Sequence, residues 1–389
     1  MDALDADLGL ACRSCGTAVP VDASIPRCPE CGGNLRVTVE QSRGGFERAA
    51  GAPASMWAFD ELLGLGAETA VSLGEGGTPL VESGQLATEL GVSRFQIKDE
   101  GQNPTGTTAD RGIALAITVA AELGVEAVSL AAPGAAGQSV AAYAARAGLD
   151  ATVFLPSRAP FERKAMVNVH GGDLTVVQGR LPEAIQAMLA AREERDLGRP
   201  FGPFETPFRE VGGRTLAYEI IAQQERPDVI AVPVGTGLTF VGLFEGFRDL
   251  RDLGVINSLP RLVAVQPSGC APVVEAVSTG QSIQPPATPD TVCGELEVPD
   301  PPSGEWAIEA IEATDGAVVA VEDEHLLEAG LEIAGTAGIE PSPAGGAALA
   351  GVRELAEARD LDSGDSVLAV NPGTGGADLF RSRLEARPR

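Results

Sequence analysis

Asn103-Pro104-Thr105-Gly106-Thr107-Thr108-Ala109-Asp110-Arg111-Gly112 is a loop that turns into a helix. Thr107 or Thr108 can cap a helix beginning near Asp110, because a threonine hydroxyl accepts from the unpaired N–H groups of a first turn. The Asp110 carboxylate in that turn is favoured by the helix dipole. Upstream lies a short β-type run, Phe95 to Lys98, so the stretch joins a strand to a helix. The same alternation continues outward. A helix from about Arg111 is followed by Ala127 to Leu130, a helix from about Gln138, Ala151 to Leu155 and Leu174 to Val177. It resumes with Val229 to Val234, Leu262 to Val265, Val318 to Val321 and Val367 to Val370. Short apolar runs separated by helical stretches predict an α/β fold, with parallel sheets and crossover helices. Asp323 is the expected N-cap of a helix with Leu327, Leu331 and Ala334 on one face. Gln284-Pro285-Pro286 and Pro299-Asp300-Pro301-Pro302 read as loops.

A chain of 389 residues with 44% apolar content can bury a large core, in two or three structural units. Its formal charge is −27, from 55 acidic against 28 basic residues, and Lys98 and Lys164 are its only lysines. The acidity forms no run of about five or six like charges, so a solvated, halophile-like surface is preferred to a site for cations or basic proteins. Nucleic acid is excluded as a partner, since phosphate backbones are bound through basic patches. Met1-Asp2-Ala3-Leu4-Asp5-Ala6-Asp7 lacks the basic start and apolar core of a signal peptide. No stretch of about 18 consecutive apolar residues is present, so a cytoplasmic protein without a membrane span is expected.

Four of six cysteines form Cys12-x-x-Cys15 and Cys28-x-x-Cys31, with twelve residues between the pairs. Two knuckles turning through Gly16 and Gly32 can place four thiolates around one zinc ion, in a segment too short to be held by burial alone. A structural zinc ribbon with its linker is therefore expected over residues 1–43. Cys270 and Cys293 read as buried free thiols, and His170 and His325 as surface residues without metal or triad spacing.

The opening stretch resembles the cofactor-attachment motif of threonine synthases, Asn-Pro-Thr-Gly-Ser-Phe-Lys-Asp-Arg-Gly. Other segments follow in family order: Trp57 to Leu63, Leu73 to Leu80, Lys98-Asp99-Glu100, Ala141 to Gly148, Gly235-Thr236-Gly237 and Glu340-Pro341-Ser342. The N-terminal ribbon is similar to that of archaeal-type members. The resemblance implies the fold-type II architecture of pyridoxal phosphate (PLP) enzymes, two open α/β domains with the cofactor in the cleft between them. It spans 44–389, with a smaller subdomain at about 113–200, and implies a homodimer.

The same resemblance implies roles at particular positions. The lysine that holds PLP as a Schiff base falls at Ala109, which has no amine, and acidic-surface adaptation cannot account for that change because arginine forms no aldimine either. Arg214 stands where the family usually shows lysine. In Ala131 to Ser139, Ala135 takes the place of an asparagine that would bond the cofactor's ring oxygen. Gly235, Thr236, Gly237 and Thr239 occupy the loop that wraps the PLP phosphate with backbone N–H groups at a helix start, with Leu238 in place of one glycine. As a glycine motif alone this reads more often as a tight strand-to-helix turn than as a phosphate site, and its position in the family order brings the two readings level. In Asn371 to Asp378, Pro372 falls where a threonine meets the pyridine nitrogen, Thr374 lies two residues on, and Ala377 replaces a lysine. Lys98 reads as structural, and Lys164 matches a helical lysine of the small subdomain.

The preferred reading is a degenerate, non-catalytic paralogue with zinc as structural cofactor and PLP retention in question. It would bind a phosphorylated small molecule or associate with a catalytic relative. One alternative is an active threonine synthase converting O-phosphohomoserine and water to threonine and phosphate. The other is PLP-independent chemistry in the same cleft.

Overall fold

In a computed structural model, residues 8–22, 27–51, 53–202 and 205–379 are described. The N-terminal heptapeptide, on which the expectation of no signal peptide rests, lies outside them. The strands are β1 (Leu8–Cys12), β2 (Ala18–Val19), β3 (Leu35–Val39), β4 (Leu80–Glu82), β5 (Arg94–Asp99), β6 (Ala127–Ala131), β7 (Asp150–Pro156), β8 (Asp173–Val177), β9 (Arg199–Pro200), β10 (Val229–Pro233), β11 (Arg261–Pro267), β12 (Ala317–Val321) and β13 (Ser366–Asn371). The chain divides into two compact units. Among the described residues, no helix is long and apolar enough to cross a membrane.

The first unit comprises Met1–Gly77, Ala109–Ala222 and Asp252–Val255. It holds an antiparallel sheet in the order β2-β1-β3 and a parallel sheet in the order β8-β7-β6-β9. Leu10, Val19, Leu35 and Val37 of the small sheet share one apolar core with Ile113, Ala116, Val119, Phe208 and Val211. The N-terminal sheet is therefore part of this unit's core rather than a separate bead. Helices Ala109–Glu122 and Phe208–Gln223 meet backbone to backbone. A Cβ on Gly112 would lie 2.1 Å from the Arg209 carbonyl oxygen, and one on Gly212 would lie 2.2 Å from the Gly112 nitrogen.

The second unit comprises Thr78–Thr108, Gln223–Arg251 and Ile256–Arg389. Its six strands run β12-β11-β10-β13-β5-β4, parallel except for β4, which pairs antiparallel with β5. β10 is buried at all five positions, the signature of a parallel strand covered on both faces. The helix expected after Val321 runs Asp323–Ala337, with two corrections. Glu322, not Asp323, is its N-cap, and the Asp323 carboxylate instead accepts from the Thr291 hydroxyl (2.6 Å) and the Val292 N–H (2.9 Å). Its packed face is Leu326, Leu327, Ala329, Gly330 and Ile333, while Leu331 is half-buried and Ala334 exposed. The neighbouring helix Pro343–Glu357 sets that face. A Cβ on Gly346 would lie 2.0 Å from the Leu326 carbonyl oxygen, so the contact follows small residues rather than a leucine stripe.

Candidate functional site

The loop before Ala109 is pinned within the second unit. The Thr108 N–H donates to the Pro372 carbonyl (2.8 Å), the Thr374 N–H donates to the Gly106 carbonyl (3.0 Å), and Thr107 bridges Gly373. Asn103 donates its side-chain amide to the Glu100 carbonyl (3.0 Å) and carboxylate (2.9 Å), and that carboxylate accepts from the Thr78 hydroxyl (2.6 Å). Asn103 and Gly106 therefore shape the backbone. Pro372 contributes its carbonyl to this clamp and offers no side-chain hydrogen bond. Thr374 has its backbone N–H committed to Gly106 and pairs with Pro341.

Across the Thr108–Ala109 peptide the chain enters the first unit, where Ala109 is half-buried and opens the helix Ala109–Glu122. The next three residues are buried. The Asp110 carboxylate accepts from the Ser139 hydroxyl at 2.6 Å. Arg111 grips Glu219 with two parallel bonds, 2.7 and 2.8 Å, and also donates to the Thr215 hydroxyl at 3.1 Å. Glu75 collects donors from Tyr143 (2.7 Å), Trp57 and the Leu73 N–H (2.9 Å). Burial, with the Asp110 and Glu75 charges next to it, pushes the Tyr143 phenol far above its ordinary range, so it remains a neutral donor. Packing thus suffices to keep Asp-Arg-Gly behind Ala109 without any cofactor. Ala135, also buried, opens the helix Ala135–Ala147 of the same unit.

In the second unit, Gly235-Thr236-Gly237 links β10 to the helix Leu238–Asp252. A Cβ on Gly235 would lie 2.8 Å from the Glu295 carbonyl oxygen, and one on Gly237, whose φ is +85°, would lie 3.0 Å from the Ser303 Cβ. The chain's own 295–303 segment therefore requires both glycines. The Thr236 carbonyl accepts the Ser303 N–H at 2.9 Å, and Thr236 and Thr239 keep partial exposure. Ser303 was not among the sequence candidates. Its hydroxyl is buried without a hydrogen-bond partner and does not cap the helix Gly304–Ala313 that it precedes. Its place between a proline-rich loop and a helix start was the available signal.

Both lysines are engaged. The Lys98 ammonium is fully buried and donates to the Thr78 carbonyl (2.7 Å) and to Gln223 Oε1 (2.8 Å), while Lys164 donates to the Ser157 carbonyl (2.9 Å). His325 is exposed, 3.5 Å from a Glu354 carboxylate oxygen, and His170 follows the helix Phe161–Val169 at its C-terminus. Cys270 and Cys293 are buried and in no disulfide, and burial raises Cys293 well above the usual thiol range. Arg214 is buried and donates to the Val37 carbonyl at 3.0 Å.

The sulfur atoms of Cys12, Cys15, Cys28 and Cys31 all lie within 4.8 Å of one another. Each pair sits on the same turn: the Gly16 N–H donates to the Cys12 carbonyl (3.0 Å) and the Gly32 N–H to the Cys28 carbonyl (2.9 Å). Both glycines are left-handed, φ +74° and +71°. Bonding from the Thr17 hydroxyl and N–H holds Cys15 down to about 6. The Gly33 N–H favours the Cys31 thiolate, yet its neighbouring sulfurs Cys12, Cys15 and Cys28 drive it up to about 12. Four thiolates this close repel unless a cation sits among them, and the all-sulfur set can hold zinc.

Residues 71–373 match the family model for pyridoxal-phosphate dependent enzymes. The threonine synthase of Methanosarcina acetivorans is 31% identical over 372 residues, 94% of this chain and 91% of that protein. The threonine synthase of Methanocaldococcus jannaschii is 32% identical over 373 residues, with the same coverage of each chain. Among solved structures, a pyridoxal 5′-phosphate-dependent aspartate racemase superposes with a TM-score of 0.70 at 19% identity, covering 86% of this chain and 96% of that one. Threonine deaminase isoform 2 of Solanum lycopersicum gives 0.68 at 22%, covering 80% and 88%. With an α/β fold shared with fold-type II enzymes and a match through most of its length, this chain belongs to the pyridoxal-phosphate dependent enzyme family and is a homologue of the threonine synthases.

Proposed function

We propose that this chain is a threonine synthase-like protein that has lost its PLP-anchoring lysine, a non-catalytic paralogue with a ligand-binding or regulatory role and a structural zinc ion on its four cysteines. PLP is the cofactor expected of the family. Its covalent retention needs a primary amine. The observation that carries the reading is that Ala109 supplies none, while the chain's two lysine ammonium groups are spent on Thr78, Gln223 and Ser157. Ala135 and Pro372 support it, since neither side chain can make the ring contacts that the resemblance assigns there. The residues at these positions do not fit an aldimine-anchored cofactor.

A phosphorylated small molecule is the ligand class proposed, at Gly235, Thr236, Gly237 and Thr239. Helix N-termini favour anions, and the unpartnered Ser303 hydroxyl adjoins this loop. A homodimer, or association with a catalytic relative, belongs to the same proposal. A second reading, an active threonine synthase acting on O-phosphohomoserine, is favoured by similarity to proteins of that name over 94% of the chain.

Reconstitution with PLP followed by gel filtration separates the two. The expected result is no retained visible chromophore, nothing fixed by borohydride, and no threonine formed from O-phosphohomoserine. A retained, reducible chromophore would overturn the non-catalytic reading and require one of the two lysines to leave its partners.

A further inference from the structure

One face of the helix Phe208–Gln223 grips the N-terminal segment at three successive turns, on β3 and just beyond the ends of β1 and β3. Glu210 pairs with Arg13, Arg214 donates to the Val37 carbonyl (3.0 Å), and the Tyr218 hydroxyl accepts from Gln41 (3.0 Å). Positions 210, 214 and 218 repeat every four residues and so lie along one stripe of the helix. The first grip is distinctive. Arg13 directly follows Cys12 inside the Cys12–Cys15 knuckle, and both members of the Arg13–Glu210 pair are nearly enclosed, with 10% and 8% of their side chains exposed. The Arg13 N–H also extends the sheet, donating to the Asn34 carbonyl at 2.9 Å.

A buried carboxylate is tolerated only while its cation is held in place, because a charge left without its partner in a low-dielectric setting is strongly unfavourable. Whatever orders the knuckle therefore also secures Glu210, and whatever seats the helix pre-forms the knuckle. We infer that metal binding by the four cysteines and seating of the Phe208–Gln223 helix are linked equilibria. Glu210 acts as a positioning residue for the metal site through Arg13. This rests on the reading of the cysteines as a zinc site. Linkage is reciprocal: the factor by which losing Glu210 weakens metal binding is the factor by which losing the metal weakens the helix contact.

The test uses full-length protein loaded with zinc and titrated with a chromophoric chelator. Glu210→Gln keeps the shape and removes the charge, and should weaken zinc binding by about tenfold, in the range of outer-sphere positioning effects. Ser139→Ala strips the hydroxyl donor from Asp110 elsewhere in the same unit, and should leave zinc affinity unchanged. On the unaltered protein, zinc removal should speed amide exchange in 208–223 as well as in 8–39, and leave β10 and β11 as they were. Equal zinc affinity in wild type and Glu210→Gln, an equal loss in Ser139→Ala, or exchange confined to 8–39 would each overturn the linkage alone. Protein that takes up no zinc overturns the metal reading as well.

Discussion

Two residues beyond Ala109, Arg111 and Glu219 form a bidentate pair with side-chain exposures of 1% and 0%. Glu219 also accepts the Gly77 N–H at 2.9 Å. Removing one partner from such a pair costs about 3–5 kcal/mol, whereas replacing both with apolar side chains of similar volume is often neutral. Glu219→Gln is therefore expected to lower unfolding stability by about 3 kcal/mol, and Arg111→Met with Glu219→Leu to recover most of that loss. Urea unfolding monitored by Trp57 and Trp306 fluorescence measures both; single and double variants that were equally unstable would contradict a charge-burial origin. The pair also shows what the sequence could and could not yield at this scale. Asp110 and Arg111 were legible as helix-start residues, but their partners Ser139 and Glu219 stand 29 and 108 positions away, beyond any local pattern. Ser303 offered only its place before a helix start as a local signal, since its contact with Thr236 is made by the fold.

The strands and crossover helices were largely readable, because runs such as Val229–Pro233 are short, rich in β-branched residues and bounded by turn residues, here Pro227-Asp228 and Gly235. Short paired elements such as β4 and β9 were not, having three and two residues. Helix faces were the weakest reading. Where small residues make the contact, hydrophobic spacing misplaces the face, as at Leu331 and Ala334. The crossing of Ala109–Glu122 with Phe208–Gln223 has the same character, resting on Gly112 and Gly212, which propensity alone would count against a helix. A Cβ at Gly212 would meet backbone atoms of the facing helix at 2.2 and 2.5 Å, which cannot rotate away. Gly212→Ala should thus cost about 3 kcal/mol, at the upper end of overpacking penalties. Gly335, exposed in the helix Asp323–Ala337 with nothing within 4 Å of a Cβ, provides the contrast. Gly335→Ala should stabilise by about 0.5–1 kcal/mol through backbone entropy. Thermal and urea unfolding of the two variants should move in opposite directions, and a shared direction would mean that the crossing is looser than its geometry.

Across the whole chain the surplus is electrostatic, −27 with 55 acidic against 28 basic residues. Several ion pairs that offset it are exposed: Arg43–Glu47 has 60% and 61% of its side chains in solvent, and Arg48–Glu61 has 63% and 51%. Exposed pairs of this kind are solvated on both partners and contribute little, too little to cancel the repulsion among the excess carboxylates in a compact state. Salt shortens the reach of that repulsion from about 10 Å at 0.1 M to about 3 Å at 1 M. The buried Arg111–Glu219 and Arg13–Glu210 pairs, shielded from solvent, are screened much less. Salt should therefore relieve the unfavourable long-range term while leaving the favourable buried one intact. Tm is expected to rise by at least about 5 °C between about 0.05 M and about 1 M potassium chloride. Most of the gain should fall below about 0.5 M, where screening changes fastest with concentration. Sucrose at matched osmolality separates screening from solvent exclusion, because it raises stability without shielding charge. A Tm that ignored salt, or rose as much in sucrose, would show that the acidic surplus is already neutralised within the folded chain.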